Sequence, residues 1–394
     1  MLSLSPFSLC CTLLLCLPLA LFFSTTTTAP PILYAVSNIN SRNTDNDSPP
    51  NVLQLSTDNA PAKNLSFTFS DLAHQNNEDE EDAALFRLAG RTNPNPKSSP
   101  KIAFMFLTTT PLPFAPLWQL FFNPNQTESH PRNSSQNLFN IYIHADPNRS
   151  YSQPFSGLFA GRTIPSKPTR RSDPSLITAA RRLLARALLD DPSNAMFALL
   201  SPSCIPLHSF PLVYRMLAAR PTKSFIEILK NEPSIRGRYE VRGEGAMLPE
   251  VPFESFRVGS QFFVLTRRHA RLVVRDARLW AKFRRRCARE DSCYPEEHYF
   301  PTLLSMSDPR ACIPATLTHV DWRGSVGGHP RTYGAAEVGP ELIRGLRADK
   351  PRYGNGLDEG WNGSTAYPFL FARKFAPDCL EPLMAIASDV IFRD

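Results

Sequence analysis

Two adjacent carboxylates, Glu296 and Glu297, stand in the stretch Ser292-Cys293-Tyr294-Pro295-Glu296-Glu297-His298-Tyr299-Phe300. A carboxylate held away from water and within hydrogen-bond reach of a hydroxyl can take its proton, which is worth roughly 10²–10⁴ in rate. Pro295 suits the first position of a helix, where its missing N–H costs nothing. Phe300, Leu303 and Leu304 then recur at helical spacing and would anchor that turn on a core. The plainer use of such a pair is to cap the helix and complement its dipole. A glycoside hydrolase needs two carboxylates across the scissile bond. Neighbours on a helix point about 100° apart and do not meet at one sugar ring.

The surrounding chain predicts an α/β domain that would carry this turn. Lys101–Leu107 and Leu138–His144 are apolar runs of strand length, joined through a helix over Leu112–Phe122. Asp173-Pro174 opens a helix whose apolar face is Leu176, Ala180, Leu183, Leu184, Ala187 and Leu188. Strands are expected at Ala195–Leu200, Ser224–Ile228, Ser260–Leu265 and Ile313–Val320, with helices at His208–Ala219 and Asp378–Ile391. Alternating elements of this kind make a Rossmann-like sheet, and such sheets bind ligands outside the carboxyl ends of their strands. His144-Ala145-Asp146 and the loop Ser201–Pro206 fall at strand ends, where a nucleotide or a metal could sit; a hydrogen-bonded turn is the plain alternative for the first. Arg373 and Lys374 follow the apolar run Phe369–Ala372.

The chain has 394 residues and a formal net charge of +7. Much of that charge lies on Arg267, Arg271, Arg275, Arg278, Lys282, Arg285 and Arg289, which recur at helical spacing. A solvated face is the default for such a helix. The N-terminus argues against nucleic acid: residues 7–23 are apolar, and no charge appears before Arg42. An uncleaved signal-anchor over 7–23 is favoured, with a cytosolic end at 1–6; a cleaved signal is the alternative. Either sends the remainder into the secretory lumen. Sequons at Asn64, Asn125, Asn133, Asn148 and Asn362 agree with that address, and Asn46 also fits although Pro49 follows. Residues 24–99 lack sustained periodicity and read as a disordered stem, with a short helix at Ala83–Ala89; a catalytic domain would fill 100–394. Of the cysteines beyond the leader, Cys204, Cys287, Cys293, Cys312 and Cys379, at least one is free or pairs outside the chain, because five is odd.

From about Lys101 to the C-terminus the chain resembles the core-2/I-branching β-1,6-N-acetylglucosaminyltransferase family, and more closely its plant-type branch. The blocks that carry the resemblance are His144-Ala-Asp146, Leu199-Leu-Ser-Pro-Ser-Cys-Ile-Pro206, Gly259-Ser-Gln-Phe-Phe-Val-Leu265, Tyr294-Pro-Glu-Glu-His298, His319-Val-Asp-Trp322 and Phe371-Ala-Arg-Lys-Phe375. The resemblance implies a Golgi type II membrane enzyme with a GT-A-like fold. It implies an inverting transfer from a UDP-sugar, N-acetylglucosamine in animal members, to a glycan or glycoprotein hydroxyl. Carried over by motif, Glu297 is the catalytic base and Lys374 faces the donor diphosphate. His144, Asp146 and Ser203 fall on the donor side, and Glu227 and Trp322 on the acceptor side. Arg352 and Arg373 compete for the family's second diphosphate-binding arginine. The family's Asp before the base is Glu296 here. The one Asp-x-Asp, Asp45-Asn-Asp47, lies in the stem, so metal-independent transfer is expected, with cationic side chains neutralising the leaving group. A catalytically inactive lumenal glycan-binding protein on the same fold is the alternative.

Overall fold

A computed structural model describes residues 69–123, 138–151, 155–218, 222–289, 292–325, 328–357 and 367–394. The apolar leader, the Asp45-Asn-Asp47 motif and the sequons at Asn46, Asn64, Asn125, Asn133 and Asn362 lie outside them; Asn148 is described, and is exposed. No helix among the described residues is long and apolar enough to cross a membrane.

The three apolar runs become one half of a six-stranded sheet. β1 (Lys101–Thr108) pairs in parallel with β2 (Phe139–Ala145) on one side and β3 (Asn194–Leu200) on the other. Their side chains are buried on both faces, which is why the runs are continuous rather than alternating. Beyond the two-residue β4 (Ile205–Pro206), β5 (Ser224–Phe225), β6 (Val264–Thr266) and β7 (Cys312–Ile313) complete the order β2-β1-β3-β6-β5-β7. β6 runs antiparallel to both of its neighbours, so the sheet is mixed rather than wholly parallel. β8 (Thr318–Val320) and β9 (Phe371–Arg373) join β4 in a second sheet ordered β4-β9-β8. This mixed α/β architecture with a parallel-rich centre fits a GT-A-like fold. The strands expected at Ser224–Ile228, Ser260–Leu265 and Ile313–Val320 are shorter in the structure. The last of them is split at Pro314, which has no N–H for a ladder.

One face of the main sheet is covered by the helix Ser175–Asp190. Ala180, Leu183, Leu184, Ala187 and Leu188 of the expected face are buried; Leu176 is only partly buried, and Ile177 is buried in its place. Asp173 Oδ1 accepts from Ser175 N–H at 2.9 Å and caps it. The opposite face packs Phe104, Phe106, Trp118, Phe121, Phe122 and Phe210 edge-on. Each such aromatic pair adds about 0.5–1.5 kcal/mol beyond the area buried.

Two expectations change. The stretch read as a stem contains a helix over Phe69–Gly90, longer than the one expected at Ala83–Ala89; Phe86 and Ala89 are buried against the domain. The basic helix is broken at Asp276 into Arg267–Arg275 and Trp280–Phe283, because Asp276 Oδ1 and Oδ2 accept from Leu279 and Trp280 N–H and start the second piece. Nor is its charge simply solvated. Arg267 is buried and donates to the carbonyls of Asn93, Asn194 and Leu188, and Arg271 donates to that of Gly90. Two cations therefore tie the Phe69–Gly90 helix end and the following loop to the sheet.

Candidate active site

Glu296 and Glu297 lie on a single 3₁₀ turn, Pro295–Glu297, just ahead of the helix Tyr299–Ser307. Tyr294 enters it with φ of 40°, in the left-handed region. The turn is held from both sides. Upstream, the disulfide Cys287–Cys293 closes a short loop; Cys204, Cys312 and Cys379 are buried free thiols. Across from the turn, Gly259 N–H donates to Glu297 O at 2.8 Å. A Cβ on Gly259 would lie 1.9 Å from the carbonyl oxygen of Glu227. Only glycine lets the end of β5 approach the carboxylate turn this closely.

The turn opens on a cleft of about 860 Å³. Of the residues singled out from sequence, Glu227, Glu297, Trp322, Arg373, Lys374 and Arg352 all line it. Glu297 is paired to Arg238 Nη1 at 2.8 Å. Burial raises its pKa above the ordinary carboxylate range, against the pull of Arg238, Arg171 and Arg373. A helix N-terminus would compete with burial here. The dipole is worth about 0.3–1 kcal/mol, whereas taking a carboxylate out of water costs several, and Glu297 precedes the helix rather than sitting in it. Glu296 is more deeply buried, with Oε2 unpartnered, and its carboxyl is pushed up to about 7 by burial and then by Glu297. Glu227 is also raised, first by burial.

Cations gather on two walls. On one, Arg352 lies 3.7 Å from Glu227 and 3.6 Å from Glu232. Trp322, 57% exposed, presents an apolar ring to the cleft on the loop after β8. On the other, β9 sets Arg373 opposite Val320 of β8 and delivers Lys374 just beyond. Lys374 Nζ lies 3.2 Å from His329 Nδ1, and Arg171 abuts the same ring at Nε2. Burial and the neighbouring Arg373 and Arg171 lower the Lys374 pKa. Arg373 is half-buried over the Phe262 ring, with Nε unpartnered. Tyr294 joins the two regions: Arg238 and Arg171 both stand over its ring, at 4.9 and 5.7 Å.

His144, Asp146 and Ser203 do not line the cleft. His144 is fully buried; Nε2 accepts from Lys167 N–H, and burial takes its pKa down to about 4. Asp146 accepts from Asn148 N–H and from the N–H and hydroxyl of Thr169. The pair thus makes a hydrogen-bonded turn, and what it braces is the segment leading to Arg171. Ser203 accepts from Phe375 N–H through its carbonyl, one residue beyond Lys374. Among the described residues no three His, Cys, Asp or Glu side chains cluster as a cation would require.

Arg171, Arg238 and His329 were not singled out from sequence. Arg171 stands two residues before a helix cap and His329 follows a glycine pair, positions that carry no periodic signal. Arg238 sits on the short helix Ile235–Glu240, outside any matched block.

A half-buried carboxylate and a group of cations on one cleft, with an exposed tryptophan lining it, suit transfer of a sugar from an anionic leaving group. Comparison with known proteins agrees. A family model for the core-2/I-branching enzyme matches residues 102–347. The chain is 31% identical over 317 residues to Glycosyltransferase BC10 of Oryza sativa subsp. japonica, an alignment covering 72% of this chain and 75% of that protein. With the matched span running through both the central sheet and the carboxylate turn, the chain belongs to the core-2/I-branching enzyme family and is a glycosyltransferase.

Proposed function

We propose that the protein is an inverting transferase that moves a sugar, N-acetylglucosamine from UDP-GlcNAc, onto a hydroxyl of a glycan or glycoprotein. One observation carries the reading: Glu297 and the Arg171–Lys374 cation wall face one cleft, and that wall has no carboxylate paired to it among the described residues. Glu297, held by Arg238, takes the proton of the acceptor hydroxyl as it attacks the anomeric carbon. Lys374, Arg171 and Arg373 offset the charge that develops on the departing diphosphate. A base opposite the leaving group gives inversion in one displacement. Trp322 offers a face on which an acceptor ring can stack, and Glu227, on the same cleft, can accept from sugar hydroxyls.

The reading includes transfer without a metal, which the cationic wall supports because it supplies the neutralisation itself. It also includes a Golgi address with the catalytic domain lumenal, supported by the apolar leader and the exposed sequon at Asn148. UDP release from UDP-GlcNAc, measured on the purified protein with and without a panel of glycan acceptors, tests the activity. Acceptor-dependent release that survives EDTA is the expected result. Release that collapses with EDTA and returns with manganese would overturn the metal-free step. No release from any donor with any acceptor would leave a glycan-binding protein instead.

A further inference from the structure

His329 sits between two cations that can only donate. Lys374 Nζ is 3.2 Å from Nδ1, and Arg171 Nη1 lies against Nε2. A neutral imidazole has one acceptor nitrogen; lysine and arginine have none. Whichever tautomer is present, only one of these contacts can be a hydrogen bond. The other sets an N–H against an N–H. Protonating the ring in the empty cleft would make both contacts repulsive.

The other groups around the ring do not relieve this. Arg373 adds a third positive charge from β9. From the carboxylate turn, Tyr294 brings only its phenol hydroxyl near Gly328. Ahead of the helix Ser175–Asp190, the Asp173 carboxylate is occupied by Ser175 N–H and Arg170. On the ring's own loop, Arg331 is already paired with Asp321 and Glu337. Burial, Lys374, Arg171 and Arg373 all push the His329 pKa below the ordinary value, which favours the neutral ring in the empty cleft. A diphosphate seated on this wall reverses the balance. Its oxygens accept from every cation present, and its charge favours the imidazolium.

We propose that donor binding places a solvent proton on His329, so that the imidazolium joins Lys374 and Arg171 as a third donor to the diphosphate. This rests on the reading of that wall as the donor side. The proton comes from buffer on binding and returns to it when the nucleotide leaves; no other bond changes.

The probe is UDP-GlcNAc, whose diphosphate is fully esterified and does not itself titrate near neutrality. Calorimetry of the full chain at pH 7.5, in two buffers of different ionisation enthalpy, counts protons taken up. About 0.5–1 proton per ligand is expected, with affinity weakening by up to about tenfold per pH unit between pH 7 and 8.5. Uridine, which lacks the phosphates, should show neither effect. His329→Gln should bind with no uptake and a flat pH profile. Lys374→Arg keeps a cation that does not titrate, and should retain the uptake. Wild-type binding without uptake, uptake retained by His329→Gln, or uptake lost in Lys374→Arg would each overturn the inference while leaving the donor site standing. Failure of UDP-GlcNAc and UDP to bind at any pH would overturn both.

Discussion

The two walls of the cleft carry similar positive charge and use it differently. On one wall Arg352 faces Glu227 and Glu232, and Arg238 faces Glu297. These cations are compensated by the protein itself. On the other Arg171 and Lys374 converge on a ring that can satisfy one of them. Ion pairs at a partly exposed site contribute about 0–1 kcal/mol and chiefly orient the carboxylates. Gathered cations without carboxylates oppose one another, and a protein keeps them together when an anion completes the set. Cation count alone would not separate the walls; the pairing does.

The largest expected effect breaks the Arg238–Glu297 pairing. Glu297→Gln retains the size of the side chain and a contact to Arg238 but cannot take a proton. Acceptor-dependent transfer should fall by roughly 10²–10⁴, while UDP-GlcNAc affinity and Tm hardly move. Near-native transfer would remove Glu297 as the base. In the wild type the same group sets a pH limb: transfer should decline as pH falls through its raised pKa.

The next comparison sets one wall against the other. Lys374→Ala should cost about 10²–10³ in turnover and weaken donor binding. Arg352→Ala, which removes a cation already matched by Glu227 and Glu232, should leave donor affinity within about threefold and act on the acceptor KM instead. The opposite ranking, measured as donor Kd and turnover for the two variants, would move the diphosphate to the Arg352 wall.

The smallest effect concerns stability and separates the neighbouring carboxylates. The Glu296 carboxyl is raised from 4.5 to about 7 in the fold. The unfolded chain therefore releases this proton first, and stability is lost as pH rises from about 4.5 to about 7, then levels. Glu296→Gln removes that loss and should raise stability at pH 8 by on the order of 1–3 kcal/mol relative to wild type, with little change at pH 4.5. The gain is limited because the half-buried Arg242 loses a charge that favours its own. Thermal melts of both proteins at the two pH values check it. A variant that is less stable at pH 8 would show that Glu296 is an ionised structural partner.

Much of this molecule follows from local pattern. β1, β2 and β3 are legible because strands buried on both faces must be continuously apolar. The helix Ser175–Asp190 is legible because only one period puts Ala180, Leu183, Leu184 and Ala187 on the sheet. The carboxylate turn and the cation pair after β9 are short enough to carry their chemistry in sequence. The His144–Asp146 block is recognisable too, but its use is not: sequence places it at a strand end, and only the fold shows Asp146 spending its oxygens on Asn148 and Thr169.

What tertiary structure decided was which charges are matched. Arg171 and His329 are 158 residues apart, and neither has a neighbour in sequence that marks it. Arg352 and Arg373 are equal candidates for the diphosphate until folding sets one beside Glu227 and stacks the other over Phe262. Periodicity reports which face of an element leaves water, since burial repeats along the chain with the geometry of the helix or strand. Charge compensation has no such repeat. It is settled between side chains brought together by the sheet order, and it exists only once the chain has folded.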